Sequence, residues 1–243
     1  MKNISLLLIL LLVVFGTIGC RKNISIDHID LGQSETKVVK EVIIHNPPQN
    51  VTSPSEAVIH QYEVVFENHK SEYPEKKSII SETSLGNKSI VAIRSPEGSN
   101  IYSVFLYNFV DEWIMDSHLI FDVLEENLHT DKEELALPID QFNAVSMNIN
   151  DNEQIWAFAN EDVVMTIAVF NHYLIPESSK VEKMALENGT KSFISKDQYQ
   201  NNYLYYYDMD KIVVVSGNVS RSEIIELANT IPSVTAANFP SNK

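Results

Sequence analysis

The sequence predicts an α+β protein: antiparallel sheets with a helix packed on each, arranged as two small units behind an export signal and a tether. Three observations carry this reading. Helix starts with complete capping chemistry stand at Ser53–Glu56 and Ser220–Glu223, extended segments rich in Ile, Val, Tyr and Phe fill most of the chain between them, and short polar turns separate those segments.

The chain opens with Lys2 and then a mostly apolar run from Leu6 to Ile18. As a helix, that run reaches roughly 20 Å at ~1.5 Å per residue, short of a hydrocarbon core of ~30 Å. A basic start, a brief apolar run and the small Gly19 describe a cleaved export signal. Thr17-Ile18-Gly19-Cys20 resembles the lipobox of bacterial prolipoproteins, although that pattern prefers Leu where Thr17 stands. The resemblance implies signal cleavage between Gly19 and Cys20 and lipid attachment at Cys20. Cys20 is the sole cysteine of the 243 residues, so once lipidated it leaves no disulfide and no thiol for redox, nucleophilic or metal chemistry.

Residues 21–52 are polar and punctuated by Asn46-Pro47-Pro48-Gln49-Asn50, which reads as a tether with one short extended piece at Lys37–Ile44. Ser53-Pro54-Ser55-Glu56 then forms a capping box with proline at the first helical position. Val58, Ile59, Tyr62, Val65 and Phe66 follow at helical spacing, predicting a helix over 54–69. Extended segments are expected at 77–83, 88–94, 101–109 and Glu112–Met115. Leu85-Gly86-Asn87-Lys88 and Ser95–Asn100 supply turns. The acidic stretch 117–137 has weak helical periodicity and reads as a connector.

The second unit alternates at Val145, Met147 and Ile149, continues through Gln154–Phe158, and reaches Val163–Phe170, whose near-continuous apolarity predicts a central strand covered on both faces. Asn188-Gly189 between Val181–Leu186 and Thr190–Ile194 predicts a two-residue hairpin with positive φ at both turn positions. Asp208-Met209-Asp210 joins Tyr203–Tyr207 to Lys211–Ser216. The closing helix carries the Ser220/Glu223 box, a Val219/Ile224 staple and a stop at Pro232, with Ile224, Leu227, Ala228 and Ile231 on one face. The expected divisions are a signal peptide at 1–19, a lipidated N-terminus and flexible tether at 20–52, a helix-plus-meander unit at 53–136, and a strand-rich unit with the closing helix at 137–236.

The stretch from Ile212-Val213-Val214-Val215-Ser216-Gly217-Asn218 through Ala228-Asn229-Thr230-Ile231 resembles the C-terminal signature of the bacterial family known as domain of unknown function 4367. There a strand ends in a Ser-Gly or similar turn, a Ser cap leads a short helix, and the helix ends Ala-x-Ser/Thr-Ile. The likeness spans roughly residues 140–235. Where that family often shows Trp, this chain has Tyr203, Tyr205 and Tyr207. The resemblance implies an extracytoplasmic, non-enzymatic module and carries no catalytic residues.

Removing residues 1–19 leaves 17 basic against 33 acidic residues, a formal charge of −16. Nucleic-acid partners are thereby disfavoured, and so is unaided adsorption to an anionic leaflet. The seven histidines, at 28, 45, 60, 69, 118, 129 and 172, form no His-Glu-x-x-His pattern. Asn148–Glu153 resembles a calcium loop only superficially, since it lacks the sixth-position glycine and has Ala159 where a bidentate Glu is needed. With seven glycines in all there is no phosphate loop and no Gly-x-Ser-x-Gly elbow. Asp111/Glu112 and Asp208/Asp210 are the carboxylate pairs that glycosidic chemistry would use, and both read as turn residues. Tyr203, Tyr205 and Tyr207 share one strand face, expected to lie under the closing helix, while Trp113 and Trp156 are expected in the core.

The sequence therefore points to a membrane-anchored bacterial lipoprotein on the extracytoplasmic face of the cell membrane, without cofactor, metal or catalysis. It binds a protein or envelope component. Two alternatives remain open at this point: a carrier or chaperone for acylated or lipid cargo, and a cell-wall hydrolase.

Overall fold

The computed structural model describes residues 39–48, 51–132, 134–176 and 178–240, and residues 22–29 by their backbone alone. Gly19 and Cys20 lie outside the described residues. Among the described residues the chain forms fifteen strands and two α-helices, so the fold is predominantly β and the α+β expectation is corrected.

Three antiparallel sheets make the body. The first runs β1 (Lys22–Ile29), β2 (Val39–Ile44), β3 (Tyr62–Phe66) and β4 (Ser71–Glu72) in sequence order. β1 and β2 lie within the stretch expected as a tether. The second is a meander of β5 (Ile79–Leu85), β6 (Lys88–Arg94), β7 (Ile101–Phe109) and β8 (Trp113–Asp122). The third comprises β9 (Asn143–Asn150), β10 (Glu153–Ala159), β11 (Val164–Asn171), β12 (Glu182–Ala185), β13 (Lys191–Lys196), β14 (Asn202–Asp208) and β15 (Lys211–Gly217). Its spatial order is β12-β13-β14-β15-β11-β10-β9.

The helix expected over 54–69 is α1, Pro54–Gln61, and the chain passes directly from it into β3. Tyr62, Val64 and Phe66 are buried in alternation, so their period-two pattern overrides the helical reading of the same residues. Ser53 Oγ accepts from the Glu56 amide as expected, but the Glu56 carboxylate reaches one residue further back, to the amide and hydroxyl of Thr52. The stretch read as connector from residue 117 is strand as far as Asp122 and pairs with β7 along its length.

Asn188-Gly189 does turn a hairpin, but by a different geometry. Only Gly189 has positive φ; the Gly189 amide donates to Leu186 O, the Leu186 amide donates to Thr190 O, and the loop has three residues. α2, Arg221–Thr230, has its full capping box, with Ser220 Oγ accepting from the Glu223 amide at 3.3 Å and the Ser220 amide donating to Glu223 Oε2 at 2.7 Å.

The layers stack so that the middle strands serve two cores each. In β7, Tyr102, Val104 and Leu106 face the third sheet, meeting Ala157, Ala168, Phe170, Ile212 and Val214, while Ile101, Phe105 and Tyr107 face α1 and the first sheet. In β11 and β15, Ile167, Val169, Val213 and Val215 turn the other way, toward Ile224, Leu227 and Ala228 of α2. That double coverage is why these strands read as continuous apolar runs. Residues of the two expected units thus meet in one core.

Candidate binding surfaces

One end of the stacked sheets gathers five chain reversals. Phe109, at the end of β7, donates its amide to Asn87 O in the β5–β6 turn at 2.7 Å. The Tyr173 hydroxyl donates to Leu85 O at 2.9 Å, and the Tyr173 ring lies over Gly86, whose φ is +59°. The His172 amide donates to Asp210 O in the β14–β15 turn at 2.9 Å. Lys88 reaches Glu153, beside the β9–β10 turn, at 3.0 Å. These links place the turns at 86–87, 110–112, 151–152 and 209–210, and the segment 172–176, side by side.

Large apolar side chains stand out from this end. Of six exposed large hydrophobic residues among the described ones, five are here: Phe109, Val110 (70% exposed), Ile114, Leu174 (88%) and Met209 (72%). Trp113, expected in the core, is half-buried and packs its ring against Phe109 at 5.1 Å. Asp111, Glu112, Asp151 and Asp210 lie exposed among them, so the end combines apolar knobs with negative charge. The fifth acid there, Asp208, accepts the Val234 amide at 2.8 Å. Asp111, Glu112 and Asp210 are turn residues, as the sequence suggested, whereas Asp208 is the last residue of β14 and pairs with Lys211.

The buried carboxylates were not visible in the sequence. Glu153 accepts from the Lys88 ammonium at 3.0 Å, the Asn171 amide at 3.0 Å and Asn150 Nδ2 at 2.9 Å. Lys88 also stands 4.8 Å from the Phe170 ring centre. Burial pushes the Glu153 carboxyl upward, but the Asn171 amide, Lys88 and Asn150 outweigh it and hold it below the usual glutamate range. Glu82 accepts from the Ser55 amide at the start of α1 and from Gln198 Nε2, while its own amide donates to Asp197 at 2.9 Å. Asp197 also accepts from the Tyr199 and Asn201 amides. Burial raises the Asp197 carboxyl above its usual range against the pull of those three amides, and Glu82 adds to the rise. This seam ties α1 and β5 to the β13–β14 turn.

The histidines remain dispersed. His45 pairs with Glu63 and stacks on Tyr73, His118 stacks on Phe105, and His172 packs on Tyr207. The His28 side chain is outside the described residues. Asn148–Glu153 is the end and turn of the β9–β10 hairpin, and Ala159 lies in β10. Among the described residues no group of three His, Cys, Asp or Glu could hold a metal ion.

Tyr203, Tyr205 and Tyr207 do share a face, but not the one under α2. They look into the core between the second and third sheets, and Leu204 and Tyr206 meet the helix instead. Tyr205 stacks on Phe193 at 4.9 Å, and both border a recess of about 490 Å³ with Tyr207, Val181 and Ile175.

A second recess of about 500 Å³ opens on the far side of the third sheet. Its floor is a step in the β9–β10 pair: Phe158 lies opposite Ala144, and Trp156 opposite Ser146, so two large rings adjoin two small side chains. One wall is formed by residues 129–132 and 134–142, closed by reciprocal backbone hydrogen bonds between His129 and Phe142 and braced by Lys132 Nζ on Leu137 O at 2.9 Å. The other wall is the tail after α2, where Phe239 meets the Trp156 ring edge-on at 5.3 Å. Trp156 was expected in the core and is instead half-buried at this opening.

Among the described residues no helix is long and apolar enough to cross a membrane. Comparison with protein-family models, with curated proteins and with solved structures finds no match to the chain.

Proposed function

We propose that the chain is a non-catalytic lipoprotein, anchored through Cys20 at the extracytoplasmic face of the membrane, whose hairpin end binds a protein of the cell envelope. The observation that carries this reading is the concentration of Phe109, Val110, Ile114, Leu174 and Met209 at one end. Scattered exposed apolar residues are ordinary, whereas a contiguous group marks an interaction surface. The carboxylates of Asp111, Glu112, Asp151 and Asp210 select the partner's chemistry: apolar sockets surrounded by Lys and Arg. A bilayer fits less well, because acidic groups at the tips oppose an anionic leaflet. The bonds of Glu82, Asp197 and Glu153 are spent on backbone amides and fixed side chains, which is the use of structural rather than reacting carboxylates. The lipobox-like Thr17-Ile18-Gly19-Cys20 supports an envelope location.

The test is site-specific photocrosslinking in intact cells. A photoreactive residue at Val110, Leu174 or Met209 yields a discrete protein adduct, and one at Glu226, exposed on α2, does not. Adducts of equal yield from Glu226, or none from the hairpin end, would falsify the reading. The Cys20→Ala chain is expected in the medium instead of the membrane fraction.

A further inference from the structure

The recess above Trp156 is independent of the hairpin end and has a chemistry of its own. α2 packs on β14 and β15 and leaves the β9–β10 side of the same sheet face to residues 129–132 and 134–142 and the tail. Trp156 and Phe158 supply flat apolar surface there, Ala144 and Ser146 leave the space beside them open, and His129, Asp131, Lys132 and Asn238 stand at the mouth. An apolar pocket of roughly 300–1,000 Å³ with a few polar groups at its rim is the usual form of a ligand site. With the tail in place as one wall, the space left is about 500 Å³, already inside that range.

The chain's own tail shows what fits. Ile231 ends the helix, Pro232 breaks it, and residues 233–240 fold as successive turns that bring Phe239 against Trp156 and bury Pro240. The tail is tied at its start, where the Val234 amide donates to Asp208 Oδ2 at 2.8 Å. Beyond that point its backbone hydrogen bonds are local, from the Ala236 amide to Ser233 O and from the Phe239 amide to Ala236 O. Phe239 therefore meets the recess through side-chain packing, its ring edge-on to Trp156. Such a contact can be exchanged for an equivalent one from another chain.

We propose that this recess is a peptide-binding site for an aromatic side chain followed by proline, and that the tail Asn238-Phe239-Pro240 occupies its mouth as a built-in competitor. A partner peptide lays its ring on Trp156 and Phe158 beside Ala144, with its backbone meeting the polar groups of the mouth, and the tail swings out about Val234. The site is thus closed to weak ligands and open to those that outcompete an intramolecular segment.

The test uses the full chain and a fluorescein-labelled peptide of the tail sequence, Thr-Ala-Ala-Asn-Phe-Pro, followed by fluorescence anisotropy. The Phe239→Ala chain binds the peptide at least tenfold more tightly than the unaltered chain. A peptide with Ala in place of Phe does not bind, and Ala144→Phe added to Phe239→Ala abolishes binding by filling the space. If Ala144→Phe lowers the melting temperature, Ser146→Phe makes the same test from the neighbouring exposed position. Equal affinity of the Phe239→Ala and unaltered chains, or no binding by Phe239→Ala at millimolar peptide, overturns the proposal.

Discussion

Replacing Lys88 with methionine removes the cation from a carboxylate that the fold has already taken out of water. The Glu153 side chain is 6% exposed and that of Lys88 is 14%. Deleting one member of a buried pair costs about 3–5 kcal/mol, because the remaining charge is left uncompensated. Here Glu153 keeps the Asn171 amide and Asn150 Nδ2, and methionine keeps the stem that packs on Phe170, so the lower end applies, about 3 kcal/mol. For a chain of this length that corresponds to a fall in melting temperature of about 6–12 °C. Urea unfolding at pH 7, followed by tryptophan fluorescence, measures it, and the Lys88→Met/Glu153→Gln double variant completes the cycle, losing less than the two single variants together. The pH dependence has a definite sign. Glu153 is held below its unfolded value, so its contribution is fully present above the usual glutamate range and is lost as pH falls through the folded pKa. The gap between the unaltered chain and Lys88→Met therefore narrows on acidification. A destabilisation under about 1 kcal/mol at pH 7, the size of an exposed pair, would refute the assignment of this pair as a buried brace.

Three further outcomes are expected. Ser220→Ala removes the acceptor for the Glu223 amide and costs about 1 kcal/mol by chemical denaturation, whereas Ser220→Asp retains most of the stability. Gly217→Ala places a Cβ 2.6 Å from Val164 O, the backbone acceptor of the Asn218 amide at the end of the β11–β15 pairing, and is expected to destabilise by about 1–3 kcal/mol, measured as a shift in urea midpoint without a change in slope. Asp197 has its folded pKa raised, so its contribution is present below the unfolded value and declines as pH rises through the folded one. The stability of the unaltered chain relative to Asp197→Asn accordingly increases as pH falls through the folded pKa toward the ordinary aspartate value of 3.8, and a difference that stays flat down to that pH would show that burial does not perturb this carboxyl.

Where side chains answer to local periodicity the sequence reads correctly, and where a long-range partner decides, it does not. Val163–Phe170 announces a strand covered on both faces, and β11 is that strand, shifted by one residue. Ser220/Glu223 announces the start of α2. The start of β8 is the segment expected at Glu112–Met115, and a bulge hides the rest of that strand. Leu106 pairs with Ser117 and Tyr107 with Met115, so Asp116 has no opposite residue and the alternation changes phase. Trp113 and Met115 face the first sheet before the bulge and Ile120 does so after it, a pattern that imitates weak helical spacing. In the first sheet the extended piece expected at Lys37–Ile44 is β2, but β1 falls in the stretch that reads as tether and β3 in the stretch that reads as helix, because their partners lie outside the local pattern. At the hairpin end Phe109, Val110 and Ile114 flank one turn, whereas Leu174 and Met209 come from segments far from it in sequence. Nothing local distinguishes Leu174 or Met209 from an incidental exposed residue until the turns are brought together.

The position of β11 also bears on how such a chain acquires its structure as it is made. Met165 pairs with Gly217 and Asn171 with Lys211, so one whole side of the central strand waits for a partner some forty to fifty residues later. A polypeptide delivered N-terminus first presents Val164–Phe170 with an open edge until the β14–β15 hairpin has emerged. Non-local pairing of this kind is slow, and the unpaired edge is prone to association while it lasts. Folding of the third sheet therefore waits on β15, and β11 stays open to association until the β14–β15 hairpin is complete.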